Sequence, residues 1–273
     1  MTRTEPGAES RLDDVPIARL ESVATEAVRA GGDRLAELFG TDTTAEFLAH
    51  DVKSAADRAS EDAMLSVVRD AFPTHEIYAE ESGRHGDHSR FEWIVDPLDG
   101  TNNFEAGLPT FTAAATVLSD DRPVVGAIYV PATDDTYVAS VTDGVRWDGR
   151  QVSVTDSGRR LDPAAATVAS VIGHDVKRDE RRRDAAASID RLVEARCKRR
   201  LESWCPTLHW ALLARGRLDG IYCYHPDREE QRLGELFAAE AGLCTAASGD
   251  AYVAATTPEL KARLLDCVSE GRA

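Results

Sequence analysis

The sequence lacks long apolar runs. In its 273 residues no stretch approaches the roughly 18 consecutive apolar residues that a membrane-spanning helix needs. The N-terminal residues MTRTEPGAES also lack the apolar core of a secretion signal. We therefore expect a cytoplasmic protein with no membrane partner.

Cysteine is scarce, and its spacing argues against a CxxC site and against a zinc finger. The five cysteines include no CxxC pair, and no histidine lies at the spacing of a zinc finger. No P-loop and no D-x-D-x-T/V stretch occurs, so the motifs of nucleotide hydrolases and phosphoserine phosphatases are missing as well. The odd number and scattered positions of the cysteines favour buried free thiols at Cys197, Cys205, Cys223, Cys244 and Cys267.

Lysine is rare in a strongly acidic chain. Only four of the 32 basic residues are lysines, and 48 acidic residues give a formal net charge of −16. Because nucleic-acid backbones are bound by basic surfaces, this composition argues against a nucleic-acid partner. We interpret the carboxylate-rich, lysine-poor composition as an adaptation to high salt. A high-GC codon bias, which also favours Arg, Asp and Ala, is the alternative explanation.

Hydrophobic periodicity divides the chain into two α/β halves. Apolar residues at three- and four-residue spacing predict amphipathic helices at 17–39 and 57–72. Short strand-like runs follow from 76 to 144, and from about residue 156 strands alternate with helices, one of them closed by Gly242. We predict an N-terminal half at 1–155 and a C-terminal half at 156–273, with no flexible hinge between them.

The stretch VDPLDGTNNF, residues 95–104, continues the apolar run WIV. If WIV is a strand, Asp96 follows as its last residue, and Pro97 forces a turn that returns Asp99 to the side of Asp96. Two adjacent carboxylates repel each other unless a cation lies between them, and oxygen ligands favour a hard ion such as Mg²⁺. In so acidic a chain about eight acid-x-x-acid pairs are expected by chance, so an ordinary acidic turn is the alternative.

The surrounding sequence favours a functional site over such a turn. The segment IYAEES provides a second acidic strand end, which can bring Glu80 to the same metal, and DVKSAAD places Asp57 at the start of a helix. The backbone N–H groups of Gly100, Thr101 and Asn102 have no bulky side chains in the way, and such groups suit a phosphate. Metal and phosphate would then be adjacent.

Several motifs together resemble the inositol monophosphatase and fructose-1,6-bisphosphatase superfamily. AEES (79–82), DPLDGTNNF (96–104) and EAG (240–242) are similar to its signatures GEES, D-P-I/L-D-G-T-x-N-F and E-A-G. DVKSAAD, PVVGAIYVP and ARGRLDGIY also resemble family segments, so the resemblance covers nearly the whole chain. It implies an α/β fold, the layered αβαβα sandwich, with an antiparallel sheet in the first half and a mixed sheet in the second. It also implies an active site at their junction and a homodimer.

The resemblance implies a Mg²⁺-dependent phosphomonoesterase in which water, and no enzyme side chain, attacks the phosphate. Asp57 and Thr101 would orient and deprotonate that water. Glu81 would lie next to these residues without contacting the water itself. Gly100, Thr101 and Asn102 would hold the phosphate. The implied metal ligands are Glu80, Asp96, the Leu98 carbonyl, Asp99 and Glu230.

Three departures from the family pattern bear on function. Glu229 and Glu230 stand where the family has Trp-Asp, so Glu230 would replace the aspartate that helps to hold a second metal ion. Cys223 falls where inositol-specific members carry a substrate-binding glutamate, which argues against inositol phosphate as the substrate. The segment WCP (204–206) replaces a small G-S/T-A segment.

The sequence leaves two functions open. The leading one is Mg²⁺-dependent hydrolysis of a small sugar- or polyol-phosphate, with fructose-1,6-bisphosphate and inositol phosphate as equal candidates. The alternative is a catalytically weak or inactive relative that serves as a metal- or ligand-binding regulatory protein. We expect Cys223 to fill the core and the tryptophans to pack in the core or at its edge. The residues expected to be surface or packing histidines, and not ligands, are His174, His209 and His225.

Overall fold

The computed structural model describes residues 15–41, 45–47, 52–154 and 162–273. The helices are α1 (Ile17–Leu38), α2 (Ala55–Ala71), α3 (Thr101–Glu105), α4 (His174–Lys177), α5 (Glu180–Arg196), α6 (Pro206–Ala214), α7 (Arg228–Glu240) and α8 (Pro258–Gly271). The strands are β1 (Ala45–Phe47), β2 (Val52–Ser54), β3 (Glu76–Ala79), β4 (Gly83–His85), β5 (Phe91–Asp99), β6 (Thr112–Ser119), β7 (Arg122–Val130), β8 (Asp135–Ser140), β9 (Gly144–Trp147), β10 (Arg150–Val152), β11 (Thr167–Ile172), β12 (Arg199–Leu201), β13 (Gly220–Tyr224), β14 (Cys244–Ser248) and β15 (Ala251–Ala255). The helices predicted at 17–39 and 57–72 are confirmed as α1 and α2.

The first large sheet has eight strands in the order β10-β9-β8-β7-β6-β5-β3-β4. Its neighbours are antiparallel except for β3 and β5, which run parallel. The expected antiparallel arrangement is therefore wrong at this pair. The chain forms β4 on the outer side of β3 before it crosses back to β5, so β5 can run in the same direction as β3. This direction puts the ends of both strands at one edge of the sheet.

The second large sheet has five strands in the order β12-β11-β13-β15-β14. β11 is parallel to β12 and β13, whereas β15 is antiparallel to β13 and β14. The sheet is mixed, as expected.

Helices and sheets alternate in five layers. α1 and α2 cover one face of the first sheet, α6 and α7 lie between the two sheets, and α5 and α8 cover the outer face of the second sheet. One apolar core lies between α1 and α2 and the first sheet, a second surrounds α6 and α7 between the two sheets, and a third lies between the second sheet and α5 and α8. The αβαβα sandwich is therefore confirmed.

Close packing of α6 and α7 brings the start of α7 to the junction of the sheets. At Gly234 a Cβ atom would lie 2.1 Å from Cε2 of Trp210, so no larger residue fits between the helices without movement. Leu233, Leu236 and Phe237 are buried around this contact, because α7 lies between two sheets. The N-terminal turn of α7 thereby faces the edge at which β3 and β5 end.

The predicted boundary between the two halves, at residues 155 and 156, lies outside the described residues and stays a prediction. β10 precedes that gap and β11 follows it. No helix in the described ranges combines the length and the apolar character that crossing a bilayer requires.

Candidate active site

Two acidic strand ends meet at one edge of the first sheet. β3 and β5 pair with Ala79 opposite Val95, which places Glu80 beside Asp96. The Glu80 N–H donates to the Val95 carbonyl oxygen at 3.2 Å, and the carboxyl groups of Glu80 and Asp96 are hydrogen-bonded to each other. Because ionised carboxylates only accept hydrogen bonds, this contact requires a shared proton or a cation in its place.

The turn after Asp96 differs from the prediction. β5 does not end at Asp96 but continues to Asp99, with an irregular register against β6 between these two residues. Pro97 fits here because a bulge removes its position from the regular hydrogen-bond ladder. Asp96 and Asp99 still approach each other as expected, since both are buried and the charge of Asp99 helps to raise the pKa of Asp96.

Asp99 is held by the start of α6. Its Oδ2 accepts hydrogen bonds from the Thr207 backbone N–H at 2.7 Å and from the Thr207 hydroxyl. Burial raises the pKa of Asp99 to about 6, although these two donors act in the opposite direction. Thr207 is missed at the sequence level because its contact with Asp99 depends on packing between distant segments.

Gly100 shapes the entry to α3. Its φ of +94° lies in the left-handed region, and a Cβ atom here would lie 2.8 Å from the Thr110 carbonyl oxygen, so glycine is required. The Thr101 hydroxyl follows, 3.1 Å from Asp57 Oδ1 and 3.1 Å from the Leu98 carbonyl oxygen. With one proton, this hydroxyl donates to one of the two oxygens at a time. Thr101 therefore connects the turn to α2.

Asp57 has a structural partner directly before its own helix. It forms a capping box with Ser54, whose N–H donates to Asp57 Oδ2 at 2.9 Å, while Ser54 Oγ accepts from the Ala56 N–H. The other carboxylate oxygen, Oδ1, accepts from Thr101. Burial raises the pKa of Asp57 to about 6, and the charge of Glu81 adds to this rise. Asp57 is therefore ionised at neutral pH and can accept a proton.

Glu81 lies beside Asp57 and not on the cavity wall described below. Its N–H donates to Glu61 Oε2 at 2.9 Å. Its charge adds to the rise in the pKa of Asp57.

Glu230 lies in the first turn of α7. Its side chain is partly exposed, and burial, followed by the charges of Asp99 and Asp227, raises its pKa well above the ordinary value. Asp227 Oδ2 accepts from the His174 N–H at 3.1 Å and lies 2.8 Å from His174 Nδ1. The start of α7 thus brings Glu230 to the acids of the first sheet.

One cavity of about 310 Å³ collects most of the predicted site residues. It lies between the acidic edge of the first sheet and the segments that carry α4, α6 and α7. Asp57 and Glu81 do not line it, although Asp57 contacts the wall through Thr101. The predicted residues on the wall are Glu80, Asp96, Leu98, Asp99, Gly100, Thr101, Asn102 and Glu230.

The charge of the cavity favours a cation. Burial in the cavity wall and mutual repulsion raise the pKa of Glu80 above its ordinary value and the pKa of Asp96 and Glu230 well above theirs. Among the described residues, no group of three or more His, Cys, Asp or Glu side chains is arranged so that it could hold a metal ion as it stands. The all-oxygen donor set fits a hard divalent cation once these carboxylates turn towards a common point.

Trp204 contradicts the prediction that the tryptophans pack in the core or at its edge. Its side chain is 52% exposed and lines the cavity, whereas Trp93 and Trp210 are buried as expected. The reason is its place in the loop before α6, outside the apolar layers. Cys223 is buried between the two sheets, as predicted. All five cysteines are free thiols, and only Cys244 is partly exposed.

Comparison with known proteins agrees with this architecture. The chain matches the model of the inositol monophosphatase family over residues 17–261. A protein of Aquifex aeolicus (strain VF5) named fructose-1,6-bisphosphatase/inositol-1-monophosphatase is 36% identical over 138 residues, which span 50% of this chain and 52% of that protein. A protein of Pasteurella multocida (strain Pm70) named Nus factor SuhB is 29% identical over 239 residues, 85% of this chain and 87% of that protein.

A solved structure has the same fold. The inositol monophosphatase from Anabaena (Nostoc) sp. PCC 7120 superposes with a TM-score of 0.79 at 24% identity, covering 94% of this chain and 97% of that one. This likeness supports the five-layer architecture, and the family match extends over both sheets. The chain therefore belongs to the inositol monophosphatase family.

Proposed function

We propose that this protein is a Mg²⁺-dependent phosphomonoesterase that hydrolyses a small sugar- or polyol-phosphate. The observation that carries the proposal is the meeting of Glu80, Asp96, Asp99 and Glu230 with the Gly100 turn on one cavity. Carboxylate oxygens suit a hard cation, and backbone N–H groups without bulky neighbours suit a phosphate. The family match and the name of the Aquifex relative point to the same reaction.

Asp57 and Thr101 act on the attacking water in this proposal. When the Thr101 hydroxyl donates to Asp57, its oxygen still has lone pairs that can accept a hydrogen bond from water. A proton that passes from the water to Thr101 is matched by one that passes from Thr101 to Asp57, whose pKa of about 6 leaves it ionised at neutral pH. A bound divalent cation would lower the pKa of the water and stabilise the leaving alkoxide.

The residues that would hold the cation are the four acids and the Leu98 carbonyl. Thr207 supports this assignment, because its two hydrogen bonds orient one carboxylate oxygen of Asp99 and leave the other unconstrained by Thr207. The shared hydrogen bond of Glu80 and Asp96 supports it as well, since a cation can replace the shared proton. We choose Mg²⁺ because every donor is an oxygen atom and Mg²⁺ commonly bridges carboxylates and phosphates.

Cys223 bears on the choice of substrate. It is 1% exposed in the apolar layer between the sheets, where burial also raises the pKa of its thiol. A buried thiol cannot accept a hydrogen bond from a polyol hydroxyl as a carboxylate does. We therefore favour sugar phosphates over inositol phosphate.

Release of inorganic phosphate tests the proposal. The protein is assayed in molar salt with fructose-1,6-bisphosphate, inositol-1-phosphate and other sugar phosphates, with Mg²⁺ or with EDTA. We expect Mg²⁺-dependent release that EDTA abolishes. Absence of release from every ester across a Mg²⁺ titration would contradict the proposal.

A second candidate function is regulatory. The Pasteurella relative is named Nus factor SuhB, and its match covers 85% of this chain, against 50% for the Aquifex protein. In this alternative the chain keeps the fold and the cavity but hydrolyses phosphate esters weakly or not at all, and Glu230 is the substitution that weakens the chemistry. Binding of phosphate esters without release would support this function.

We further propose a homodimer in the cytoplasm, on the basis of the resemblance and the composition. Analytical ultracentrifugation in molar salt should give twice the 29.6 kDa mass of the chain. A monomer at every concentration would exclude the dimer.

A further inference from the structure

We propose that Trp204 and Lys177 form a subsite that selects esters carrying a flat face and a second anionic group beside the phosphate that is hydrolysed. This inference rests on the proposed function, because the subsite lies in the same cavity as the acids. It assigns a role to two residues that the hydrolysis itself does not use.

Trp204 has an unusual conformation on the cavity wall. Its φ of +53° lies in the left-handed region, which bulky residues seldom adopt, and its side chain is 52% exposed. The indole Nε1 donates to Glu202 at 3.0 Å, which orients the ring. An unfavourable backbone conformation that presents an aromatic ring to a cavity is typical of a binding site.

The loop that carries Trp204 is attached to the acidic part of the cavity. The Ser203 carbonyl oxygen accepts a hydrogen bond from Asn103 Nδ2 on α3. On the other side of Trp204, Cys205 Sγ donates to the Asp99 carbonyl oxygen at 3.5 Å. These contacts hold the indole in a defined position relative to the Gly100 turn. A group attached to a phosphate bound at that turn would lie next to Trp204.

Lys177 provides positive charge next to the indole. It ends α4, lines the same cavity, and its Nζ lies 5.1 Å from the centre of the Trp204 ring. Arg183 also lines the cavity and donates from Nη1 to the Lys177 carbonyl oxygen at 2.8 Å. Within the described ranges neither side chain forms a salt bridge with a carboxylate. Neither cation is therefore held in an ion pair, so both can bind an anionic ligand, and the charge of Lys177 also acts on Glu202 and Asp227.

The acids in this part of the cavity already have a cationic partner. Glu202 accepts from Arg200 Nη1 at 2.9 Å, and Asp190 lies 3.5 Å from the same nitrogen. Arg200 thus compensates much of their charge, so a second anionic group can approach Lys177 and Arg183.

The chemistry of the subsite indicates the class of substrate. An indole stacks on a flat face, which a nucleobase or the C–H face of a sugar ring provides, and an ammonium binds a phosphate or carboxylate. Inositol-1-phosphate has no second anionic group and would leave Lys177 unused. Bisphosphates of sugars or nucleosides would use both residues.

Binding of matched pairs of ligands tests the subsite. Calorimetry with Ca²⁺ in place of Mg²⁺, to slow turnover, compares fructose-1,6-bisphosphate with fructose-1-phosphate and adenosine 3′,5′-bisphosphate with adenosine 3′-phosphate. We expect each bisphosphate to bind about tenfold more tightly than its monophosphate. The pair that binds more tightly tells whether the flat face is a nucleobase or a sugar ring.

Two substitutions and two matched controls assign the effect to the subsite. Lys177→Gln should remove the preference for bisphosphates, and Trp204→Leu should weaken both members of the favoured pair about fivefold. Lys198→Gln, at an exposed lysine, and Trp147→Leu, at a tryptophan stacked on Arg215 away from the cavity, should bind like the wild type.

The outcomes for the subsite and for the proposed function are distinguishable. Unchanged affinities in both Lys177→Gln and Trp204→Leu would overturn the subsite, whether or not the protein hydrolyses esters. Binding as expected, with no phosphate release under Mg²⁺, would support the subsite and contradict the phosphomonoesterase.

Discussion

Glu230 is the residue on which the balance between the two candidate functions depends. It stands in the first turn of α7, close enough to Asp99 and Glu80 for their charges to raise its pKa. Glutamate is one methylene longer than the aspartate of the family pattern, and Mg²⁺ demands near-octahedral oxygen ligands at about 2.1 Å. The longer side chain fits such a site only where the backbone has moved back.

We therefore expect Glu230→Asp to raise activity, or to lower the Mg²⁺ concentration that gives half-maximal activity. This expectation holds if the backbone at the start of α7 lies where it does in family members that carry aspartate. Glu230→Ala should weaken Mg²⁺ binding by roughly tenfold or more, because one carboxylate ligand is lost. Phosphate release across a Mg²⁺ titration measures both effects.

Glu235→Asp on the same helix is the control for these variants. The carboxylate of Glu235 interacts with Gln231 and Arg232 and does not line the cavity. The Mg²⁺ requirement of this variant should therefore equal that of the wild type. If Glu230→Ala leaves Mg²⁺ affinity unchanged, Glu230 is no ligand and the regulatory function gains support.

The site residues differ in how far the sequence could predict them. Glu80, Asp96 and Asp99 could be predicted to meet, because Glu80 directly follows one recognisable strand and the two aspartates lie three residues apart at the end of another. Thr207 and the loop that carries Trp204 could not, because the start of α6 and this loop pack on a segment about a hundred residues earlier. The separation of Thr207 from Asp99 along the chain is 108 residues, and no local pattern reports such a contact.

Among the helices and strands, β3 and β5 show what periodicity leaves undetermined. Apolar runs predict both strands, but their relative direction depends on where β4 is placed in the sheet. The bulge in β5 is equally non-local, because it depends on pairing with β6. The five layers could be inferred only through the family resemblance, since alternating strands and helices by themselves are compatible with several α/β folds.

The packing of α2 against the start of β3 includes a buried histidine. His75 stacks on Phe72 with ring centroids 4.4 Å apart, and its Nδ1 accepts from Trp93 Nε1 at 3.0 Å. Burial lowers the pKa of His75 to about 4. A proton on Nδ1 would point at the indole N–H, so the folded state favours the neutral ring.

This contact predicts a pH dependence of stability. Because the pKa of His75 is about 4 in the folded state and about 6.5 in the unfolded chain, the unfolded state binds the proton first as the pH falls. The contribution of His75 is complete above pH 6.5 and is lost towards pH 4, by about 2 kcal/mol at pH 5.

Chemical denaturation of the wild type and of His75→Asn at pH 7.5 and pH 5 measures this contribution. The carboxylates titrate in both proteins, so the difference between the two pH profiles isolates His75. His75→Asn should be less stable than the wild type at pH 7.5, and the gap should narrow by about 2 kcal/mol at pH 5. A gap that stays constant with pH would show that the ring is not kept neutral by the fold.

For the molecule as a whole, charge dominates the expected response to solvent. The chain has a net charge of −16, so its carboxylates repel one another. This repulsion acts over longer distances at low ionic strength, where screening is weak. We therefore expect the thermal midpoint and the activity to rise with NaCl and to be highest in molar salt. A non-ionic osmolyte at equal osmolality is the control, because it does not screen charge. Full stability and activity in dilute buffer would favour codon bias as the origin of the composition.

The central claim is that the acids at the ends of β3 and β5 bind a divalent cation for phosphate hydrolysis. Asp96 is 7% exposed, hydrogen-bonded to Glu80, and repelled by Asp99 and Glu230. Asp96→Asn removes one ligand and also relieves this repulsion, so stability without metal should hardly fall while metal binding is lost.

Calorimetric titration of the metal-free protein with Mg²⁺ tests this claim most directly. We expect the wild type and Asp70→Asn, a control at an exposed acid on α2, to bind Mg²⁺ with the same affinity. Asp96→Asn should show no binding and no phosphate release, with an unfolding free energy in EDTA close to that of the wild type. Mg²⁺ binding or turnover in Asp96→Asn near the wild-type level would contradict the account.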